Sequence, residues 1–132
     1  MNLRVGTLIP AIAFGPIEKS HLAAYADASG DHNEIHLDEE AAKRAGLSGI
    51  IAHGMLSAAL LADCAVGFVN ASGSWKLTHF QTRFKGMVFL ADTISSSGVV
   101  KSCADGVLKV DLQAKNQRGD IVTLGSAEFL QR

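Results

Sequence analysis

Residues 54–70 of this 132-residue chain are the feature that most restricts its fold. Met55, Leu56, Ala59, Leu60, Leu61, Ala62, Cys64, Ala65, Val66 and Phe68 fall on nearly every side of a helix drawn through the segment. A helix that is apolar all round is a buried helix. In a chain this short, the element expected to enclose it is a sheet. The apolar run 55–69 is broken by Asp63 and falls short of the about 20 residues a bilayer span needs, so a core helix is expected and a membrane is not.

The rest of the chain supplies the strands. Phe80, Thr82 and Phe84 alternate with Gln81, Arg83 and Lys85, and Leu108, Val110, Leu112 and Ala114 alternate with Lys109, Asp111, Gln113 and Lys115. This period of two predicts strands with one face buried. Residues 121–130 give a further strand after the Arg118-Gly119-Asp120 turn, residues 93–102 a weaker one, and 8–14 a short one closed by Gly15-Pro16. Strands joined by turns pair antiparallel. The predicted class is therefore α+β, one long helix against an antiparallel sheet, with residues 1–132 as one domain by length. Two short helices are expected ahead of it. Residues 18–28 stop at Gly30, and a second helix begins at an Asp38 N-cap, with Glu39 and Glu40 in its first turn and Lys43 and Arg44 in its last.

Bulk charge narrows the function. Twelve basic residues against thirteen acidic ones give a net charge of −1, without the basic excess of a nucleic-acid binder. Cys64 and Cys103 make no disulfide framework and read as free thiols of a reducing compartment. The opening residues lack the basic-then-apolar pattern of a signal peptide, so a cytoplasmic location is expected.

The chemistry concentrates in two patches. Ser29-Gly30-Asp31-His32-Asn33-Glu34-Ile35-His36-Leu37-Asp38 places a carboxylate and an imidazole five positions apart, and Ala52-His53-Gly54-Met55 lies where the long helix begins. Taken singly, Asp31 is an ordinary turn residue and His36 a structural histidine. Occurring together with His53-Gly54, Asp31 and His36 read as a base and acid pair beside a helix N-terminus whose free N–H groups can hold an oxyanion. Asn33 is expected to orient the loop or a water, and is also a candidate substrate contact. His53 is expected to lock the loop ahead of the helix, and is also a candidate substrate contact. Arg83, Lys85, Lys43 and Arg44 could meet phosphates or simply face water. Tyr25 and Trp75 could wall a channel, with core packing the default for both. His21 and His32 are expected to face solvent, and His79 shows no partner. A metal site built from His32, His36 and His53 fits no standard ligand spacing.

The series Ser29-Gly30-Asp31-x-Asn33-x-Ile35-His36-x-Asp38, followed by Ile51-Ala52-His53-Gly54-Met55, closely resembles the hydratase-2 motif of the MaoC-like (R)-specific enoyl-CoA hydratases. Phe80-x-x-Arg83-Phe84-x-x-Met87-Val88 and Ala91-Asp92-Thr93 resemble that family's strand pair after the central helix. The resemblance implies a hot-dog fold, with the sheet wrapped around the long helix, and a dimer with sites at the subunit boundary. It implies reversible hydration of a 2-enoyl thioester, carried by coenzyme A or an acyl carrier protein, with Asp31, His36 and Gly54 catalytic and no cofactor or metal. Two positions depart from the family pattern. Glu34 stands where proline is common, and an ungapped count puts Ala62 where some hydratases carry a serine. Two rival readings are a hot-dog thioesterase using Asp63 on the central helix, and a non-catalytic subunit paired with a different hot-dog chain.

Overall fold

In a computed structural model describing residues 3–132, five antiparallel strands form one sheet in the order β1-β3-β4-β5-β2. The first two residues of the expected 1–132 domain lie outside this description. In chain order the elements are β1 (Leu8–Phe14), α1 (Lys19–Ser29), a single 3-10 turn (Glu34–His36), α2 (Glu39–Arg44), α3 (Gly54–Ala71), β2 (Trp75–Phe84), β3 (Ile94–Ala104), β4 (Val107–Lys115) and β5 (Ile121–Gln131). Helix α3 lies across the sheet and touches all five strands.

The alternation in β4 sorts as the period of two requires. Leu108, Val110, Leu112 and Ala114 are buried against α3, while Lys109 and Asp111 are exposed on the far side. In β5, Val122, Ala127 and Phe129 are buried. Each large apolar side chain fully buried in this way contributes about 1.5–3 kcal/mol. Leu61 and Val69 of α3 and Phe129 and Leu108 of the sheet are fully sealed from solvent and form the centre of that core.

Full enclosure of α3, expected from its apolar circumference, is not what a single chain provides. Ser57, Ala58, Leu61, Cys64, Ala65 and Val69 are buried on the side facing the sheet. Met55, Ala59, Asp63, Gly67 and Asn70 are exposed on the other. One layer of strands covers one side of a cylinder, and among the described residues these positions on the opposite flank stay uncovered. At 18 residues, α3 reaches the length and apolarity of a membrane span, longer than the apolar run alone suggests. Its packing on the sheet makes it a core helix.

The short helices behave as their ends dictate. Gly30 closes α1 in the left-handed conformation (φ 81°), its N–H bonded to the Ala26 carbonyl at 2.9 Å, a backbone state glycine adopts without Cβ strain. Asp38 caps α2 by accepting the Glu40 N–H at 3.2 Å. His21 does not simply face water: it is half-buried against Phe14, and its Nδ1 accepts the Glu18 N–H at 2.9 Å in a capping box.

Candidate active site

The loop between α1 and α2 is shaped by side-chain oxygens that replace regular structure. Ser29 Oγ accepts the Asp31 N–H, Asp31 Oδ1 accepts the Asn33 N–H, and Asn33 Oδ1 accepts the Ile35 N–H, each at 3.2 Å. Short polar side chains favour such local turns over helix. The last of them starts the 3-10 turn that swings His36 inward, leaving it 8 % exposed. The side-chain oxygen of Asn33 thus shapes the loop.

His36 Nδ1 lies 2.8 Å from the Ile51 carbonyl oxygen. A carbonyl only accepts, so Nδ1 carries the proton and Nε2 of the neutral ring presents a bare lone pair. That lone pair lies 4.0 Å from Asp31 Oδ2, whose side chain is 54 % exposed. The gap is too long for a direct hydrogen bond and within reach of both groups for one shared water.

His53, the N-cap of α3, is 3 % exposed. Its Nε2 donates to the main-chain oxygen of Asp31 at 3.0 Å, and its ring lies against His36 with centroids 3.9 Å apart and planes inclined by 27°. Tyr25 packs on it at 4.8 Å. Its Nδ1 is buried without a hydrogen-bond partner. Donor atoms of Asp31, His36 and His53 lie within 4.8 Å of one another. For a cation the set fits poorly, because the two imidazoles lie face to face and His53 Nε2 is already committed as a donor. Ring lone pairs lie in the ring plane, so stacked rings do not aim them at one point.

Gly54 begins α3, and its N–H belongs to the first turn, which has no intrahelical acceptors. A Cβ at this position would come within 3.3 Å of the half-exposed Phe84 ring. Ser57 Oγ donates to the Gly54 carbonyl at 2.9 Å and pairs with Thr123 Oγ1 at 2.7 Å. Since the single Ser57 proton points to Gly54, Thr123 is the donor of that pair. Ile51, His53, Gly54, Ser57, Phe84 and Met87 line a cavity of about 190 Å³ that adjoins the Asp31 loop at His53. A wider groove of about 770 Å³ crosses β1, β3 and β4, with Leu8, Val99 and Gln113 among its walls. It holds none of these groups.

The other sequence candidates separate from this cluster. Arg83 and Lys85 are exposed and alternate with Phe84, so they leave the face that meets Gly54. Trp75 is buried at the start of β2, beside the C-terminal end of α3, and Tyr25 is the aromatic that reaches the site. His32 points away to Asp27 at 3.0 Å, and that hydrogen bond holds its pKa above the ordinary 6.5. The sequence alone singles out neither Thr123, nor Ser57, nor the covering role of Phe84. A lone hydroxyl three residues into an apolar helix was the available signal.

One antiparallel sheet packed over one long helix defines a hot-dog fold. The family model described as MaoC like domain matches residues 10–120. The chain belongs to that family. Similar solved structures include the R-hydratase PhaJ1 from Pseudomonas aeruginosa, at 30% identity and TM-score 0.83 over 98% of this chain and 82% of that one. The ChsH1–ChsH2 complex from Mycobacterium tuberculosis shares the fold at TM-score 0.86, with 20% identity over 97% of this chain and 98% of that one. The 3-hydroxyacyl-thioester dehydratase X of Mycobacterium tuberculosis is 37% identical over 65% of this chain and 29% of its own length. The fatty acid synthase beta subunit TOXC of Cochliobolus carbonum is 31% identical over 83% of this chain. The chain spans 5% of that subunit's length.

Proposed function

We propose that this chain is a hydro-lyase that adds water reversibly and syn to a trans-2-enoyl thioester, giving a (3R)-hydroxyacyl thioester. The observation that carries this reading is the bare His36 Nε2 facing Asp31 Oδ2 across 4.0 Å, beside the first turn of α3. A water held between the two groups gives one proton to the pair as its oxygen bonds to Cβ. The pair returns a proton to Cα on the same face, so the dyad ends as it began. Proton transfer by such a positioned pair contributes about 10²–10⁴-fold. The negative charge that gathers on the thioester oxygen is met by the Gly54 N–H at the positive end of α3, a donor worth roughly 2.7–4 kcal/mol in a dry site. Similarity to proteins described as an R-hydratase and a 3-hydroxyacyl-thioester dehydratase supports the reaction class.

The thioesterase alternative relied on Asp63. That carboxylate is exposed on the flank of α3 that faces away from the sheet, nine residues beyond Gly54, and has no part in the cluster. The open flank of α3, with Met55, Phe84 and Met87 each more than half exposed around the cavity, supports a dimer in which a second chain completes the pocket. We take that partner to be a second copy. Arg83 and Lys85 remain candidates for the phosphates of a coenzyme A or phosphopantetheine carrier.

Incubation of the purified chain with a 2-enoyl thioester tests the reaction. Loss of conjugated-enoyl absorbance without free thiol is expected, and thiol release would replace the hydratase reading with a thioesterase. Size exclusion of the same sample tests the pairing: a folded, inactive homodimer would favour the non-catalytic subunit.

A further inference from the structure

We infer that His53 is a positioning residue that holds Asp31 and His36 in register with Gly54 through one neutral imidazole, and that it does not touch the substrate. The inference rests on the hydratase reading for its kinetic consequences, and on geometry alone for its structural ones. Three contacts meet at this ring. Its Nε2–H ends on the main-chain oxygen of Asp31 at 3.0 Å, its face covers His36 at 3.9 Å, and its own backbone is the N-cap from which Gly54 follows. The loop and the helix N-terminus are separated by more than twenty residues of chain, and this is the side-chain hydrogen bond that joins Asp31 to α3 among the described residues.

The tautomer follows from the partners. A carbonyl oxygen requires a proton on Nε2, and Nδ1 then carries only a lone pair. No acceptor lies near Nδ1 that could receive a second proton. A doubly protonated ring would bury an N–H with nothing to bond, which costs the full desolvation of that donor. The surroundings therefore suit a donor at Nε2. With the residue 3 % exposed and its ring packed against both His36 and Tyr25, it offers almost no surface to a thioester.

Two features of the ring are separable by substitution. His53→Gln keeps an N–H near the Nε2 position and loses the aromatic face. His53→Phe keeps the stack and loses the donor. If the donor sets the position of Asp31, His53→Phe should lower kcat by roughly 10²-fold, the scale of an ångström misplacement, with KM changed less than about threefold, and His53→Gln should recover most of that loss. Amide hydrogen exchange gives a readout that needs no substrate. The Asn33, Ile35 and His36 N–H groups, bonded within the loop, should exchange at least tenfold faster in His53→Phe than in the parent, and at near-parent rates in His53→Gln. A His53→Phe variant with parental exchange in the loop overturns the inference, as does a loss confined to KM. If the parent hydrates no enoyl thioester, the hydratase reading fails. The exchange comparison still decides whether His53 anchors the loop.

Discussion

The imidazole of His53 covers that of His36, centroids 3.9 Å apart, so the loop that carries Asp31 and the helix that carries Gly54 meet in one buried contact. The pair couples two parts of the site that arise from different elements. It also leaves His36 only one direction in which to present its free nitrogen, toward Asp31, because the other nitrogen is held by the Ile51 carbonyl.

Removing either member of the dyad should separate chemistry from folding. Asp31→Asn keeps the oxygen that accepts the Asn33 N–H, so the loop should survive while turnover falls about 10²–10⁴-fold. His36→Ala should lose activity to a similar degree, and should also lower the melting temperature, because the ring is buried and hydrogen-bonded. Steady-state kinetics and a thermal melt check both; near-parental kcat in either variant removes that residue from the mechanism.

Gly54→Ala tests how closely the ligand must approach the helix end. The added methyl would lie 3.3 Å from the Phe84 ring, which is half exposed and can yield by a few tenths of an ångström. Stability should change by less than about 1 kcal/mol, since alanine is also the better helix former. Turnover should fall, though by less than the 10²–10³-fold lost when a donor is removed outright. A variant with parental kcat would show that the Gly54 face is not used.

The Ser57–Thr123 pair should behave as one unit. Ser57→Ala leaves the buried Thr123 hydroxyl and the Gly54 carbonyl without their partner, a cost of about 1–3 kcal/mol. Thr123→Val should cost a similar amount, and the double variant less than the sum of the two. Its effect on turnover should be milder than that of either dyad substitution. Chemical denaturation of the four proteins supplies the cycle, and strict additivity would show the two hydroxyls to be independent.

His32 should titrate above 6.5, because its hydrogen bond to Asp27 favours the charged ring. A raised folded pKa stabilises below the unfolded value of 6.5, and that contribution disappears as pH rises through the folded value. The group is fully exposed, so the effect on the melt should be small. A proton NMR titration should show the His32 midpoint falling toward 6.5 in Asp27→Asn; an unchanged midpoint would remove Asp27 as the cause.

Cys103 should alkylate well before Cys64. Burial, and secondarily the nearby Asp63, pushes the Cys64 thiol above its ordinary 9.0, and its Sγ–H already donates to the Ser96 carbonyl at 3.4 Å. Cys103 is partly exposed. Mass spectrometry of a short iodoacetamide pulse should find the label on Cys103, and equal labelling would show that α3 opens readily.

Much of this was legible from local pattern. The alternation through Leu108–Ala114 and Phe80–Phe84 fixed the inward face of two strands, because period two allows only one burial pattern. The Asp38 cap and the Gly30 stop were readable for the same local reason. Strand β3 was harder to see: Ser95-Ser96-Ser97-Gly98 lacks the bulky residues that favour strands. It forms because it pairs with β1 on one edge and β4 on the other, and a Cβ at Gly98 would run into the Asp111 carbonyl and the Leu112 side chain. What no local pattern carried was the half-covered state of α3 and the pairing of Ser57 with Thr123 sixty-six positions on. Each depends on which strand ends beside which end of the helix.

The His53 hydrogen bond ends on a peptide oxygen, a group that every amino acid brings to position 31. The anchor to His53 is therefore indifferent to which functional group position 31 displays, so long as that side chain still accepts the Asn33 N–H. Selection, or a designer, could exchange the reactive carboxylate for an amide, which keeps an accepting oxygen, and still inherit the same presentation beside the same imidazole. New chemistry at this spot would not require a new scaffold.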